Sequence, residues 1–169
     1  MGIHLPKQPS ELSQAALLRA LQARVGVRTH TPPRLVLAFY YGWYGTPERS
    51  GKWLHWEGVD AERQQIATAT HYPTLGAYDS NDPKVIEQHC RWAREAGLDG
   101  FIYSWWGIDT YEEKPLPRLL DATHQQNLKV CLYYEQVPQP GDPRSVLPDW
   151  RHILRRFATH PAYLKVAGR

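Results

Sequence analysis

The sequence predicts an α/β fold of the (β/α)8 TIM-barrel type, with about the first three βα units present as a partial barrel and an N-terminal helix before them. Two observations carry the α/β class. Three short apolar runs that do not alternate each lead, through a loop, into a segment with helical apolar spacing. Pro, Gly and Asp punctuate the joints between them. Length carries the word partial: a closed barrel of eight units takes about 250 residues, and 169 residues hold fewer than half of those units. The end "YLKVAGR" stops where a fourth strand would follow, so the chain reads as the N-terminal piece of a longer protein. The alternative is a complete small α/β domain.

Residues 10–24, "SELSQAALLRALQAR", place Leu12, Ala16, Leu17, Ala20 and Leu21 on one face behind a Ser10 cap, which predicts an amphipathic helix. Gly26, Pro32 and Pro33 end it, and residues 1–33 are expected to form a helix and linker ahead of the barrel portion, 34–169. The first strand is expected at Leu35–Tyr41, continuously apolar as if covered on both sides, followed by a long loop from Gly42 to Asn81. Asp82 then caps and Pro83 opens a helix with Val85, Ile86, His89, Ala93 and Ala96 inward, ended by Gly97. The second unit has its strand at Gly100–Trp105 and a helix near Pro117–Gln126 facing inward with Leu116, Leu119, Leu120 and Thr123. The third has Lys129–Tyr134 and a helix from about Asp149 to Ala158. Successive βα units predict a parallel sheet with right-handed crossovers.

Composition excludes several functions. The net charge is +3, but Lys7, Arg19, Arg24, Arg28 and Arg34 against Glu11 put +4 in residues 1–34 and leave −1 for the rest. A near-neutral body lacks the clustered cations of a nucleic-acid-binding face. No apolar stretch approaches a membrane-spanning length, and with Met1 as the true start the chain reads as cytoplasmic, since no secretory pattern is visible. Cys90 and Cys131 are too few for a disulfide framework and read as buried free thiols. The eight histidines show no metal spacing. "DSNDP" at Asp79–Pro83 fails as a calcium loop because Pro83 occupies a ligand position, and is explained by helix capping. No metal or cofactor is expected, and oligomeric state is left open.

In parallel α/β folds the loops after the strands form the active face. Five of the seven tryptophans, Trp43, Trp53, Trp56, Trp105 and Trp106, fall there. Sugars fit such a surface, because their C–H faces stack on flat rings while their hydroxyls need a few polar partners; packing over the end of the sheet is the plain alternative for any one ring. "FYYGWYG", Phe39–Gly45, reads as a strand end becoming a binding loop, with Phe39 in the barrel wall, Tyr41, Trp43 and Tyr44 toward a ligand, and Gly42 and Gly45 providing the bend. Glu135, directly after the third strand, is the candidate catalytic carboxylate; burial among rings is expected to raise its pKa for acid or base work. Asp109, Glu112 and Glu113 are possible partners, with a solvated helix-start cluster as the favoured reading.

"AFYYGWYGTPERSGKWLHW", "LGAYDSNDP", "AGLDGFIYSWWG" and "KVCLYYE", in this order and spacing, resemble the N-terminal half of glycoside hydrolase family 99, the endo-α-mannosidase family, and its bacterial relatives. The resemblance implies a (β/α)8 barrel that cleaves α-mannosides within a glycan, with retention and without metal or organic cofactor. It implies Glu135 as a catalytic glutamate, and Tyr41, Trp43, Tyr44, Lys52, His55, Trp56, Tyr78, Trp105, Trp106 and Tyr134 as substrate-binding residues. The chain departs from the family in two places: "EQVPQPGDP" holds no second glutamate, and Gly42 stands where a proline is usual. The expected function is hydrolysis of an α-linked glycan. The alternatives are a degenerate glycan-binding barrel without turnover, or a cytosolic glycan-assembly enzyme on the same fold.

Overall fold

The computed structural model describes residues 34–166. The helix expected at Ser10–Arg24 and the linker after it lie outside the described residues. The architecture is α/β: a parallel sheet in the order β1-β4-β5, with β1 at Leu37–Tyr40, β4 at Gly100–Trp105 and β5 at Lys129–Tyr134. Leu37 pairs with Gly100 and Gly100 with Lys129, so the three strands begin level with one another. Strands β4 and β5 run as predicted, while β1 is shorter at both ends than Leu35–Tyr41.

Helix α2, Pro83–Glu95, starts where Asp82 accepts the Lys84 N–H at 2.8 Å, with Pro83 in the first turn. It ends at Gly97, whose φ of 76° lets Leu98 N–H return to the Ala93 carbonyl at 2.9 Å. Its buried face is Ile86, Cys90 and Ala93; Ala96, expected inside, is exposed because it caps the last turn. Helix α3, Leu116–Gln125, buries Leu116, Leu119, Leu120 and Thr123 as its spacing requires. A 3₁₀ turn at Pro143–Val146 feeds α4, Leu147–Arg156, which begins earlier than expected because the turn already shapes the chain for a helix.

The long loop after β1 is not irregular throughout. It holds a short helix α1, Pro47–Ser50, and a two-stranded antiparallel ribbon of β2, Val59–Asp60, and β3, Gln65–Ile66. Gly45 and Leu54 bridge across its base with hydrogen bonds of 3.1 and 3.0 Å.

Alternation along the strands divides their side chains between two faces. Ala38, Tyr40, Phe101, Tyr103, Trp105, Val130, Leu132 and Tyr134 pack with the helices into the core. Leu37, Phe39, Ile102, Ser104, Cys131 and Tyr133 take the other face, which no helix of the described residues covers; Phe39 is 50% and Tyr133 49% exposed. The strands are thus covered on one side within this part of the chain, where continuous apolar runs suggested both. Phe39 turns outward to meet Tyr133 edge to face at 5.5 Å. Cys90 is buried, and Cys131 is only half-buried because it lies on this open face.

Gly42 and Gly45 do not supply a positive-φ bend, since neither is among the residues with positive φ. They supply room. A Cβ on Gly42 would overlap the hydroxyl of Tyr103, a fully buried ring, and crowd Pro115, while one on Gly45 would press on Leu54. Gly42→Ala is therefore expected to lower stability by about 1–3 kcal/mol through overpacking, measured by urea unfolding; a variant as stable as the parent would show that Tyr103 yields without cost.

Candidate functional site

The loop after β1 is held by one buried carboxylate. Asp79 is 4% exposed. Its Oδ2 accepts the Thr46 N–H at 3.0 Å and the Ser50 hydroxyl at 2.5 Å, and its Oδ1 accepts the Asn81 N–H at 2.8 Å. The Tyr111 hydroxyl stands within reach of Asp79 Oδ1 at 3.1 Å, the Tyr44 carbonyl at 2.9 Å and Ser50 Oγ at 2.8 Å. Three segments distant in sequence are therefore tied at one point. Burial raises the Asp79 pKa, but hydrogen bonds from Ser50, Thr46, Asn81 and Tyr111 outweigh it and hold the carboxyl below its usual 3.8.

Fixed in this way, the loop sets a run of rings over the open face. Phe39 stacks toward Tyr41 at 6.2 Å, Tyr41 on Trp43 at 4.5 Å, and Trp43 on His55 at 4.6 Å and 13°. His55 holds a φ of 56°, a costly backbone state for a residue with a side chain, and its ring remains exposed against Trp43. Across the sheet, Glu135 follows β5, with its N–H on the Trp105 carbonyl at 3.0 Å. Its Oε1 accepts the Ser104 hydroxyl at 2.7 Å, and Ser104 Oγ accepts the Trp106 indole N–H at 3.0 Å. Ser104 is 1% exposed, Glu135 half-buried and Trp106 38% exposed, so part of each of the two larger side chains remains open to solvent. The arrangement offers flat apolar surfaces beside a hydrogen-bonding carboxylate.

The expected site residues divide. Tyr41, Trp43, Trp106 and Glu135 fall on or at the end of the open face, with His55 stacked beside them. Lys52 is exposed just beyond α1. Four of the residues expected to bind substrate stand in packed surroundings, Trp105 and Trp56 buried and Tyr134 and Tyr78 half-buried. Trp105 is 1% exposed and stacks on Tyr134 at 5.4 Å within the core, because its position in β4 points to the helices. Tyr134 shares that side: it donates to Asp149 Oδ2 at 2.5 Å, and burial, then Asp149, push its hydroxyl up to about 12. Trp56, 7% exposed, lies under Tyr44 at 3.9 Å and donates to the Tyr78 carbonyl at 2.7 Å. Tyr78 in turn lies edge-on to Tyr44 and Trp56, with burial followed by Tyr44 pushing its hydroxyl up to about 12. Tyr44 links the two groups, edge-on to Trp43 and stacked on Trp56.

Glu113 is not part of a solvated cluster. It is 7% exposed and accepts from Trp105 Nε1 at 3.2 Å, from the Asp109 N–H at 2.9 Å and from His152 Nε2 at 2.8 Å. The carboxylate thereby joins the loop after β4 to helix α4 and completes the polar needs of a buried indole. Asp79, Glu113, Ser104 and Tyr111 were not singled out for these roles by the sequence. For Ser104 there was a signal, since it is the only small polar residue in the run "GFIYSW". Glu113 and Asp79 offered none beyond being carboxylates in loops.

Comparison with known proteins gives a consistent answer. The family model described as glycosyl hydrolase family 99 matches residues 33–169. A glycoprotein endo-α-1,2-mannosidase of Rattus norvegicus is 31% identical over 156 residues, covering 79% of this chain and 34% of that protein. The solved structure of the GH99 endo-α-mannosidase from Bacteroides thetaiotaomicron superposes with a TM-score of 0.69 at 30% identity, over 82% of this chain and 44% of that one. A second structure of that enzyme, in complex with bis-tris-propane, gives 0.67 at 33% identity. The chain spans about a third of the length of the curated relatives it matches.

Two outcomes test the buried carboxylates. The folded Asp79 pKa lies below its unfolded value, so its contribution to stability is complete above the unfolded value and is lost as pH falls through the folded one. Thermal melts from about pH 6 to about pH 2 should accordingly show the gap between the parent and Asp79→Asn closing at the acid end. Glu113→Ala leaves the Trp105 indole N–H buried without its acceptor, and a loss of about 2–3 kcal/mol in urea unfolding is expected.

Proposed function

The chain belongs to glycosyl hydrolase family 99, and from that premise we propose that residues 34–169 form about the first three βα units of a (β/α)8 barrel acting on an α-linked glycan. On this reading the open face of β1, β4 and β5 is the inside of the barrel, and Tyr41, Trp43, His55 and Trp106 stack on sugar rings. Glu135 supplies a carboxylate to the reacting glycoside. The observation that carries the proposal is the joining of Glu135 to Trp106 through Ser104, beside a run of rings of which Phe39, Tyr41 and Tyr133 are exposed and Trp43 half-buried.

The relatives' names point to an α-1,2-linked mannoside as substrate. Endo-acting cleavage requires a surface that grips sugars on both sides of the bond, and a run of rings from Tyr133 through Phe39, Tyr41 and Trp43 has that extended form. Retention of configuration would need two cooperating groups, one to form an intermediate and one to shuttle the proton. Glu135 is one. Among the described residues Glu113 is committed to Trp105, Asp109 and His152. That commitment favours a second reading for residues 1–169 by themselves, namely glycan binding without turnover.

The test follows an α-1,2-linked manno-oligosaccharide by proton NMR and calorimetry. The enzyme reading expects cleavage with the α anomer formed first and turnover abolished in Glu135→Gln. The binding reading expects affinity without cleavage. Under both, Trp106→Ala should weaken binding about tenfold. Turnover by Glu135→Ala at the parent rate would remove Glu135 from the mechanism.

A further inference from the structure

We propose that Ser104 is a positioning residue for this site, its hydroxyl holding the Trp106 indole and the Glu135 carboxylate in one geometry and deciding which carboxylate oxygen faces the sugar. The proposal rests on reading the open face as a glycan site.

The hydrogen-bonding inventory leaves one arrangement. An indole N–H can only donate, so Ser104 Oγ, 3.0 Å from Trp106 Nε1, must accept there. Its single proton is then free for Glu135 Oε1 at 2.7 Å, which accepts. With Glu135 ionised, the chain of donation runs from Trp106 through Ser104 to Glu135. Ser104 is 1% exposed, so its own hydroxyl is shielded from water, while Glu135 is half-buried and Trp106 exposed. Oε1 is thereby occupied, and Oε2 has no hydrogen-bond partner among the described residues.

The backbone fixes the same geometry. Ser104 pairs with Tyr133 and Trp105 with Tyr134 in the β4–β5 register, and the Glu135 N–H closes on the Trp105 carbonyl at 3.0 Å. Glu135 therefore leaves β5 beside Ser104, on the face opposite Trp105. Trp106, two residues beyond Ser104, emerges on the same side. A carboxylate at a strand end would otherwise sample several rotamers, and an exposed indole likewise; one buried hydroxyl restricts both. Sugar stacking on Trp106 and hydrogen bonding at Glu135 then occur at a set separation, which is what gives a pocket its selectivity among hydroxyl configurations.

The experiment uses the whole chain with nitrogen-15 in the indoles, Trp106 being identified by loss of its resonance in Trp106→Phe, and α-1,2-linked mannobiose as the probe. Ser104→Ala should move the Trp106 indole resonance and weaken mannobiose binding about tenfold, because the indole and the carboxylate must then be ordered when the sugar binds. Ser104→Thr, which keeps the hydroxyl, should restore both. Glu135→Ala should also move the Trp106 resonance, through Ser104, and it provides the measurement if Ser104→Ala does not fold. An unmoved Trp106 resonance in either alanine variant overturns the proposal, as does a Thr variant as weak as the Ala one. If the parent chain binds no mannobiose while the resonance moves in Ser104→Ala and returns in Ser104→Thr, the relay stands and the glycan reading falls.

Discussion

Everything about this site depends on the pleat of a parallel sheet whose three strands start in line. With Leu37, Gly100 and Lys129 level, each residue's parity fixes its side of the sheet. Tyr103 and Trp105 go to the helices, and Ser104 and Trp106 to the open face. A slip of one residue in β4 would turn Ser104 to the helix side and Trp105 to the open face, exchanging the two sets of side chains. The helices enforce the register, since Leu116, Leu119, Leu120 and Ile153 close on one parity of side chains.

The second layer of order is polar. Two buried carboxylates act as ties between loops: Asp79 gathers Thr46, Ser50 and Tyr111, and Glu113 gathers Trp105, Asp109 and His152. A buried charge is tolerated only with a full set of donors, so each carboxylate makes the positions of its neighbours interdependent. The loops after β1 and β4 are thus tied by polar contacts as well as by packing. A rigid surface of rings is what sugar recognition needs, because each stacking contact contributes little and must not be offset by the cost of ordering the protein.

The limits of β4, α2, α3 and β5 were legible, because apolar spacing, an Asp–Pro start and a Gly stop act within a few residues. Glu135 and Trp106 were legible as site candidates because both follow strand ends. The sorting of rings was not: "GFIYSW" is apolar at both parities, so it specifies a strand without specifying which side faces the core. Trp105 and Tyr134 were consequently assigned to the ligand side and belong to the helix side. The packing of Trp56 and Tyr78 against Tyr44 was hidden for another reason, since it comes from a loop folding back on itself.

The sequence by itself determined the α/β class, the succession of βα units and the family, all of which depend on local periodicity or on the order of motifs along the chain. Tertiary structure decided which rings lie on the open face and which lie in the core. It decided that Asp79 and Glu113 are ties, and that Ser104 joins Trp106 to Glu135. The reason is distance along the chain: Ser104 and Glu135 are 31 residues apart, and Asp79 and Tyr111 are 32 apart. A hydrogen bond of that span exists only once the strands have paired and the helices have packed, and no local pattern encodes it.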